Sequence, residues 1–388
     1  MDNRKIIKTL LWIIVAAIPT AAIIFALYTL YSAITSKGEQ ASPVSLPPFS
    51  LAGEPVRMAW FYKPPENGDL NTLVTHFDTF ILTKADEGWR DDLRAMGVQA
   101  PFLQYLRFDA IQDPGSCQEQ PWRNQVADNP GDFCAISQQH PDWFLLDVNG
   151  NRIMSSGGFV LMDPGNPEWR AFWLGRAQQS QETLGWDGVF LDNVEASMSK
   201  HSRREVTLAN YPDDASFQAA VEGFLSYIYT SYFRPRGRPL LANIISLREP
   251  SVWFRYLQYL DGAMVEAWAV DWSDGYLTPE EWEEQLRLAE ETQALGKEIV
   301  LVSQGDPNDI QRQQFAFACY LLVTAGRASF RYSLADHHRE IWLYPVYDID
   351  FGEPLGWRYP SGDVWKRDFT NGSVTVDPVS HLVSFDFP

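Results

Sequence analysis

The chain has 388 residues and a formal net charge of −19, from 31 Lys and Arg against 50 Asp and Glu. Its 45% hydrophobic and 21% charged residues are those of a globular protein of one large or two ordinary domains. The acidic balance, with no Lys/Arg-rich stripe, excludes nucleic acid as a partner, because phosphate backbones need cationic contacts.

The N-terminus is a separate element. Arg4, Lys5 and Lys8 precede a mostly apolar run from Thr9 to Ile34. About 20 apolar residues suffice to span a bilayer, and Tyr28 and Tyr31 lie where interfacial aromatics are expected. A signal peptide has a shorter apolar region, so an uncleaved single-pass anchor is expected, with its basic end cytoplasmic and the remainder outside. Secretion after signal cleavage is the alternative. Residues 1–35 then form the stub and anchor, and the Ser/Pro/Gly-rich residues 36–55 a linker from the lipid bilayer. Phe315–Ala325 is apolar but too short to span.

Beyond the linker, strand-like runs alternate with helical stretches. The strands are expected at Arg57–Phe61, Thr79–Leu82, Pro101–Leu106, Gly188–Leu191, Leu240–Ile244, Ala263–Glu266, Glu298–Val302 and Ala328–Tyr332. Asn166-Pro167 opens a helix that ends before Gly185. Thr278-Pro-Glu-Glu281 is a capping box, with Gly296 past the helix end, and Asp306-Pro307 opens a helix that ends near Gly326. Eight strands with intervening helices fit an α/β fold, a (β/α)8 TIM barrel over residues 56–340. No Gly-rich phosphate fingerprint follows any strand to favour an open doubly wound sheet.

Phe108–Pro164 is a long insertion after the third strand. It carries Trp122, Trp143 and Phe144, and Cys117 and Cys134 within it can close a disulfide loop. Cys319 reads as a buried apolar residue, and His337-His338 as a pair in a surface turn. No Cys/His spacing resembles a zinc site, and no cofactor is implied. Residues 341–388 read as a small β appendage, with Asn371-Gly372 as a hairpin turn between Val364–Phe369 and Ser373–Val376.

Two segments match in register: Asp187-Gly-Val-Phe-Leu-Asp192 and Asp261-Gly-Ala-Met-Val-Glu266. Side chains alternate along a strand, so Gly188, Phe190 and Asp192 share one face, as do Gly262, Met264 and Glu266. Equal spacing from a shared Asp-Gly start puts both acids at one height, at the strand ends where barrel active sites lie. Two facing carboxylates are what glycosidic bond cleavage uses. An aromatic content of Trp 15, Tyr 16 and Phe 23 is compatible with stacking surfaces for an oligosaccharide or polysaccharide.

His140-Pro-Asp-Trp-Phe-Leu, Met162-Asp-Pro-Gly-Asn-Pro-Glu-Trp-Arg, Gly185-Trp-Asp-Gly-Val-Phe-Leu-Asp-Asn and Arg367-Asp-Phe-Thr-Asn-Gly-Ser-Val together resemble the hypothetical glycosyl hydrolase family fifteen barrels. More distantly, the chain is similar to the endo-alpha-1,4-polygalactosaminidases. The resemblance runs from about Arg57 to the C-terminus. It implies a (β/α)8 glycosidase with one acid after strand four and another after strand six, positions that Asp192 and Glu266 match. Related α-acting retaining enzymes use the former as nucleophile and the latter as proton donor. Asp377-Pro378 departs from the Asn-Pro expected there, away from the site.

Polar residues at other strand ends are candidate substrate contacts: Tyr62, Lys84, Arg107, Asp109, Asn193, Asn243, Gln304 and Arg331. Asn193, Lys84 or Arg107 would keep Asp192 ionised, and Trp268 would wall Glu266. Glu195 is the rival acid if its loop curls back. A non-catalytic, surface-anchored carbohydrate-binding barrel is the alternative function; a lyase or metal-dependent hydrolase lacks a ligand cluster or a recognisable Schiff-base lysine.

Overall fold

The computed structural model describes residues 46–51, 56–198, 206–245, 250–272, 275–334 and 337–388. The expected membrane segment Thr9–Ile34 and most of the linker fall outside them. Among the described residues no helix is long and apolar enough to cross a membrane. The chain divides into two units, Met1–Pro47 and Pro48–Pro388, and all the strands and helices of the described residues lie in the second.

Eight parallel strands form one sheet: β1 (Ala59–Phe61), β2 (Thr79–Leu82), β3 (Phe102–Arg107), β6 (Gly188–Glu195), β7 (Leu240–Ile245), β8 (Gly262–Val265), β9 (Glu298–Gln304) and β10 (Ala328–Ser333). A parallel bridge between Met58 and Phe330 brings the first strand to the last, so the sheet nearly closes into the expected barrel. All eight expected strands are present, with ends shifted by a few residues. Helices follow the strands, including α1 (Leu70–His76), α2 (Glu87–Ala95), α4 (Pro167–Leu184), α5 (Asp214–Ile228), α6 (Pro250–Leu257), α7 (Pro279–Ala294) and α8 (Ile310–Val323). The first two caps read from sequence hold. Asn166 accepts from Glu168 N and Trp169 N, and Thr278 and Glu281 form the capping box. The third is displaced: Asp306 accepts from Asn308 N in a turn, and Asp309 caps α8.

Aspartates set the strand register. Each of β2, β6 and β8 is preceded by an Asp whose Oδ2 accepts a backbone N–H at the start of the preceding barrel strand. The pairs are Asp78 with Met58 N (3.0 Å), Asp187 with Phe102 N (2.8 Å) and Asp261 with Leu240 N (3.0 Å). Before β10 an ion pair takes this place, Arg327 to Glu298 at 3.1 Å. Glycine completes two of these joints, since a Cβ on Gly188 would strike the Pro239 carbonyl and one on Gly262 the Glu298 carbonyl.

Ala59, Ile81, Leu103, Phe190, Leu241, Met264, Val300 and Val302 fill the barrel interior. A larger apolar layer lies between strands and helices, and Trp60, Trp169, Trp173, Trp253 and Trp282 are buried in it. Core packing therefore accounts for much of the tryptophan that the sequence offered to a sugar cleft. Cys319 is buried there too, accepting from Trp282 Nε1.

The insertion is ordered by its own contacts. It contains the β4 (Ala110–Gln112) and β5 (Phe159–Leu161) antiparallel pair and α3 (Asp132–Gln139). Cys117 and Cys134 are disulfide-bonded, with Cα atoms 5.7 Å apart. At the C-terminus β11 (Tyr359–Ser361), β12 (Val364–Phe369), β13 (Gly372–Val376) and β14 (Val383–Asp386) form an antiparallel sheet. The turn is Thr370-Asn371 rather than Asn371-Gly372. Gly372 already pairs with Phe369, and a Cβ there would meet the Asp386 carbonyl. Arg367 fixes this sheet to the barrel, donating to the Leu321 and Thr324 carbonyls at the end of α8.

The disulfide closes a loop with a sequence separation of 17. Replacing both cysteines by serine is expected to cost about 3 kcal/mol, the chain-entropy value for such a loop. Denaturant unfolding of the two forms, read in the absence of reductant, checks this.

Candidate active site

The upper ends of the barrel strands surround a cleft of about 230 Å³. Tyr62, Tyr105, Asp192, Asn243, Glu266 and Gln304 line it, with Phe190 and Met264 as its floor. Strand tilt explains why the acids are level. Gly262 pairs with Leu241 and Leu241 with Phe190, an offset of two residues across two strands. One residue of stagger per strand is what an eight-stranded barrel of shear eight requires. Residues equally spaced from Gly188 and Gly262 therefore stand at equal height.

Alternation from Phe190 points Asp192 into the barrel, and an irregularity follows it. The β6–β7 register shifts between Leu191 and Val194, a bulge of the kind that redirects side chains beside active sites. Asn193 lies in it at φ 59°, a left-handed conformation that Asn tolerates better than most residues. Asp192 accepts from three donors: the Tyr105 hydroxyl, Asn193 Nδ2 at 3.3 Å and Asn243 Nδ2 at 3.0 Å. Burial, and then the charge of Asp192, push the Tyr105 hydroxyl well above the ordinary phenol range. Tyr105 is therefore a fixed donor.

Asn243 joins the two acids. Its Nδ2 donates to Asp192 Oδ1 at 3.0 Å and to Glu266 Oε2 at 2.8 Å. One atom bonded to both oxygens holds them less than about 6 Å apart, the sum of two hydrogen-bond lengths. Gln304 brings an acceptor: its Oε1 is buried and makes no hydrogen bond among the described residues. Arg312 fixes the backbone beneath it, donating to the Gln304 carbonyl and to the carbonyls of Asp271 and Gly275.

Of the residues named from sequence, Asp192, Glu266, Tyr62, Asn193, Asn243 and Gln304 come together here. The others do not line it. Lys84 pairs with Asp128 at 2.6 Å and faces a separate cavity between the barrel wall and α4. Arg107 pairs with Asp109 at 2.7 Å and lies over the Phe159 ring, so both bind the insertion to the strand end. Arg107 still stands opposite Asp192 in the β3–β6 register, where its charge and that of Asp192 act on each other. Arg331 is buried over Trp60 and donates to the His338 and Glu340 carbonyls; burial lowers its pKa to about 9. Trp268 turns outward and donates to the Ala316 carbonyl, so it is no wall for Glu266. Glu195 follows the bulge and lines an apolar cavity with Phe108 and Trp169, behind the barrel wall.

Sequence reasoning passed over three residues. Tyr105 was legible by alternation, because it shares a face with Leu103 and Arg107. Asn124 donates to the Tyr62 hydroxyl from the insertion, and no local signal marks it. His338, expected at the surface, lines the cleft with its ring 5.3 Å from that of Tyr62. The Arg331 contacts to the backbone of this turn bring it there.

Residues 116–373 match hypothetical glycosyl hydrolase family 15. No curated relative matches the chain. Among solved structures, the glycoside hydrolase domain of PelA from Pseudomonas aeruginosa is 17% identical, covering 79% of this chain and 98% of that one at a TM-score of 0.44. The maltogenic alpha-amylase AmyB from Thermotoga neapolitana is 12% identical, covering 84% and 86% respectively at a TM-score of 0.47. The family match spans more than half of the sequence: the chain belongs to hypothetical glycosyl hydrolase family 15.

Proposed function

We propose that this glycoside hydrolase cleaves its substrate by a retaining double displacement, with Asp192 as nucleophile and Glu266 as acid and base. The observation that carries the reading is the Asn243 amide bonded to both carboxylates. Oxygens within about 6 Å suit the roughly 5–5.5 Å carboxyl spacing of retaining enzymes. The roughly 6.5–9.5 Å of inverting ones must admit a water.

In the first step an Asp192 oxygen bonds to the anomeric carbon as the glycosidic C–O bond breaks. Glu266 gives its proton to the departing oxygen. In the second step Glu266, now a carboxylate, takes a proton from water. The water oxygen bonds to the anomeric carbon, and the ester bond to Asp192 breaks. Three donors around Asp192 complement a carboxylate, which as an ion only accepts. Gln304 Oε1 suits a sugar hydroxyl, and Tyr62 offers an aromatic face at the same mouth.

The Thr9–Ile34 run would tether the barrel outside the membrane. A disulfide in the insertion agrees with an oxidising compartment.

Glu266→Gln is expected to lower turnover about 10²–10⁴-fold, the range for loss of a general acid–base. The loss should be smaller on aryl glycosides whose leaving group needs no proton. Asp192→Ala should be inactive and regain turnover with azide. NMR of the first-formed anomer reads the stereochemistry: retention is expected, and inversion would overturn the nucleophile assignment.

Asn243→Ala and Tyr105→Phe each remove a donor to a charged carboxylate. Each is expected to cost about 1.5–3 kcal/mol of transition-state stabilisation, roughly 10- to 150-fold in kcat/KM. Steady-state kinetics check this, with unchanged melting temperature as the control for folding. Because the Tyr105 pKa is raised, its hydroxyl stays protonated through the ordinary tyrosine range near pH 10. The wild-type profile should therefore show no alkaline limb from this group below that pH.

A further inference from the structure

The end of the barrel opposite the cleft gathers cations in a chain of net charge −19. There Arg94 from α2 and Arg236 and Arg238 ahead of β7 line an open groove of about 790 Å³, and Asp187 is the acid among its lining residues. Asp187 is already matched by Arg94 at 2.6 Å. The segment Arg234-Pro-Arg-Gly-Arg238 is a defined turn. Gly237 has φ +60°, and Arg238 N donates to the Phe233 carbonyl at 3.0 Å. Arg238 Nη1 also donates to the Trp186 carbonyl. Arg234 and Arg236 are exposed, and among the described residues neither forms an ion pair.

We propose that this face docks on the anionic phospholipid headgroups of the membrane that carries the protein. The inference rests on the tether of the proposed function and is independent of the glycosidase chemistry. The support is charge complementarity: three arginines to one aspartate line the groove, against the sign of the whole molecule. The tether would raise the local concentration of the barrel at the bilayer. The arginine face supplies the orientation, and the cleft then opens away from the bilayer, towards polymers outside. The groove is wide and open, which suits a headgroup surface more than one enclosed phosphate.

The test is amide exchange of the full-length chain in nanodiscs of phosphatidylcholine alone or with phosphatidylglycerol. Slower exchange over residues 230–240 is expected only in the anionic discs. It should vanish near 1 M salt, where screening acts within about 3 Å. Arg234→Glu with Arg236→Glu should abolish it without changing the melting temperature, each arginine contributing about five-fold to membrane association. Equal exchange in both discs would overturn the proposal. So would protection by inorganic phosphate alone, which would mark a discrete anion pocket. Failure of the chain to stay in the disc refutes the tether. Co-sedimentation with phosphatidylglycerol vesicles then decides for or against the arginine face.

Discussion

Three carboxylates at the base of the barrel fix what happens at its top. Asp78, Asp187 and Asp261 each reach across to the first amide region of a neighbouring strand and satisfy an N–H that has no ladder partner. A strand slipped by one residue would turn its side chains to the opposite face. Asp192 would then leave the cleft for the layer beneath the helices. The glycines after Asp187 and Asp261 belong to the same joint, because their neighbours' carbonyls occupy the space a side chain would need.

The site adds two local departures from regular structure. A bulge between Leu191 and Val194 sets Asn193 against the first acid, and Glu195, three residues after Asp192, lines an apolar cavity away from the cleft. Asn243 then spans the gap between strand ends. It is buried and uncharged, so it can donate to both acids without adding a charge to a confined space. Tyr105 donates to Asp192 alone, and its raised pKa keeps it a donor.

Cations in this acidic protein serve chiefly as scaffold. Arg312 holds the loops after β8 and β9, Arg331 the turn that carries His338, and Arg367 the C-terminal sheet. Each gives its donors to backbone carbonyls that loops leave unpaired. Burial lowers the pKa of Arg331 and Arg367 to about 9. Arg331 looks like a substrate ligand in the sequence, since it stands in a barrel strand, but its guanidinium group is already bonded to backbone carbonyls.

The sequence by itself determined the barrel, its eight strands, the pair of acids and their common height. These follow from alternation, from the Asp-Gly repeat and from helix punctuation, all of which act over a few residues. The tertiary structure decided which polar strand ends face the cleft. Lys84, Arg107, Asp109, Trp268 and Arg331 carry the right chemistry at the right level. Lys84 is held by Asp128, far away in sequence, Trp268 and Arg331 by carbonyls in need of a donor, and Arg107 and Asp109 by each other and by the Phe159 ring of the insertion. Asn124 and His338 show the converse, as long-range contacts carry them from an insertion and a turn to the mouth. Side-chain direction at a loop depends on where the rest of the chain leaves an unpaired charge or amide, and local sequence does not contain that.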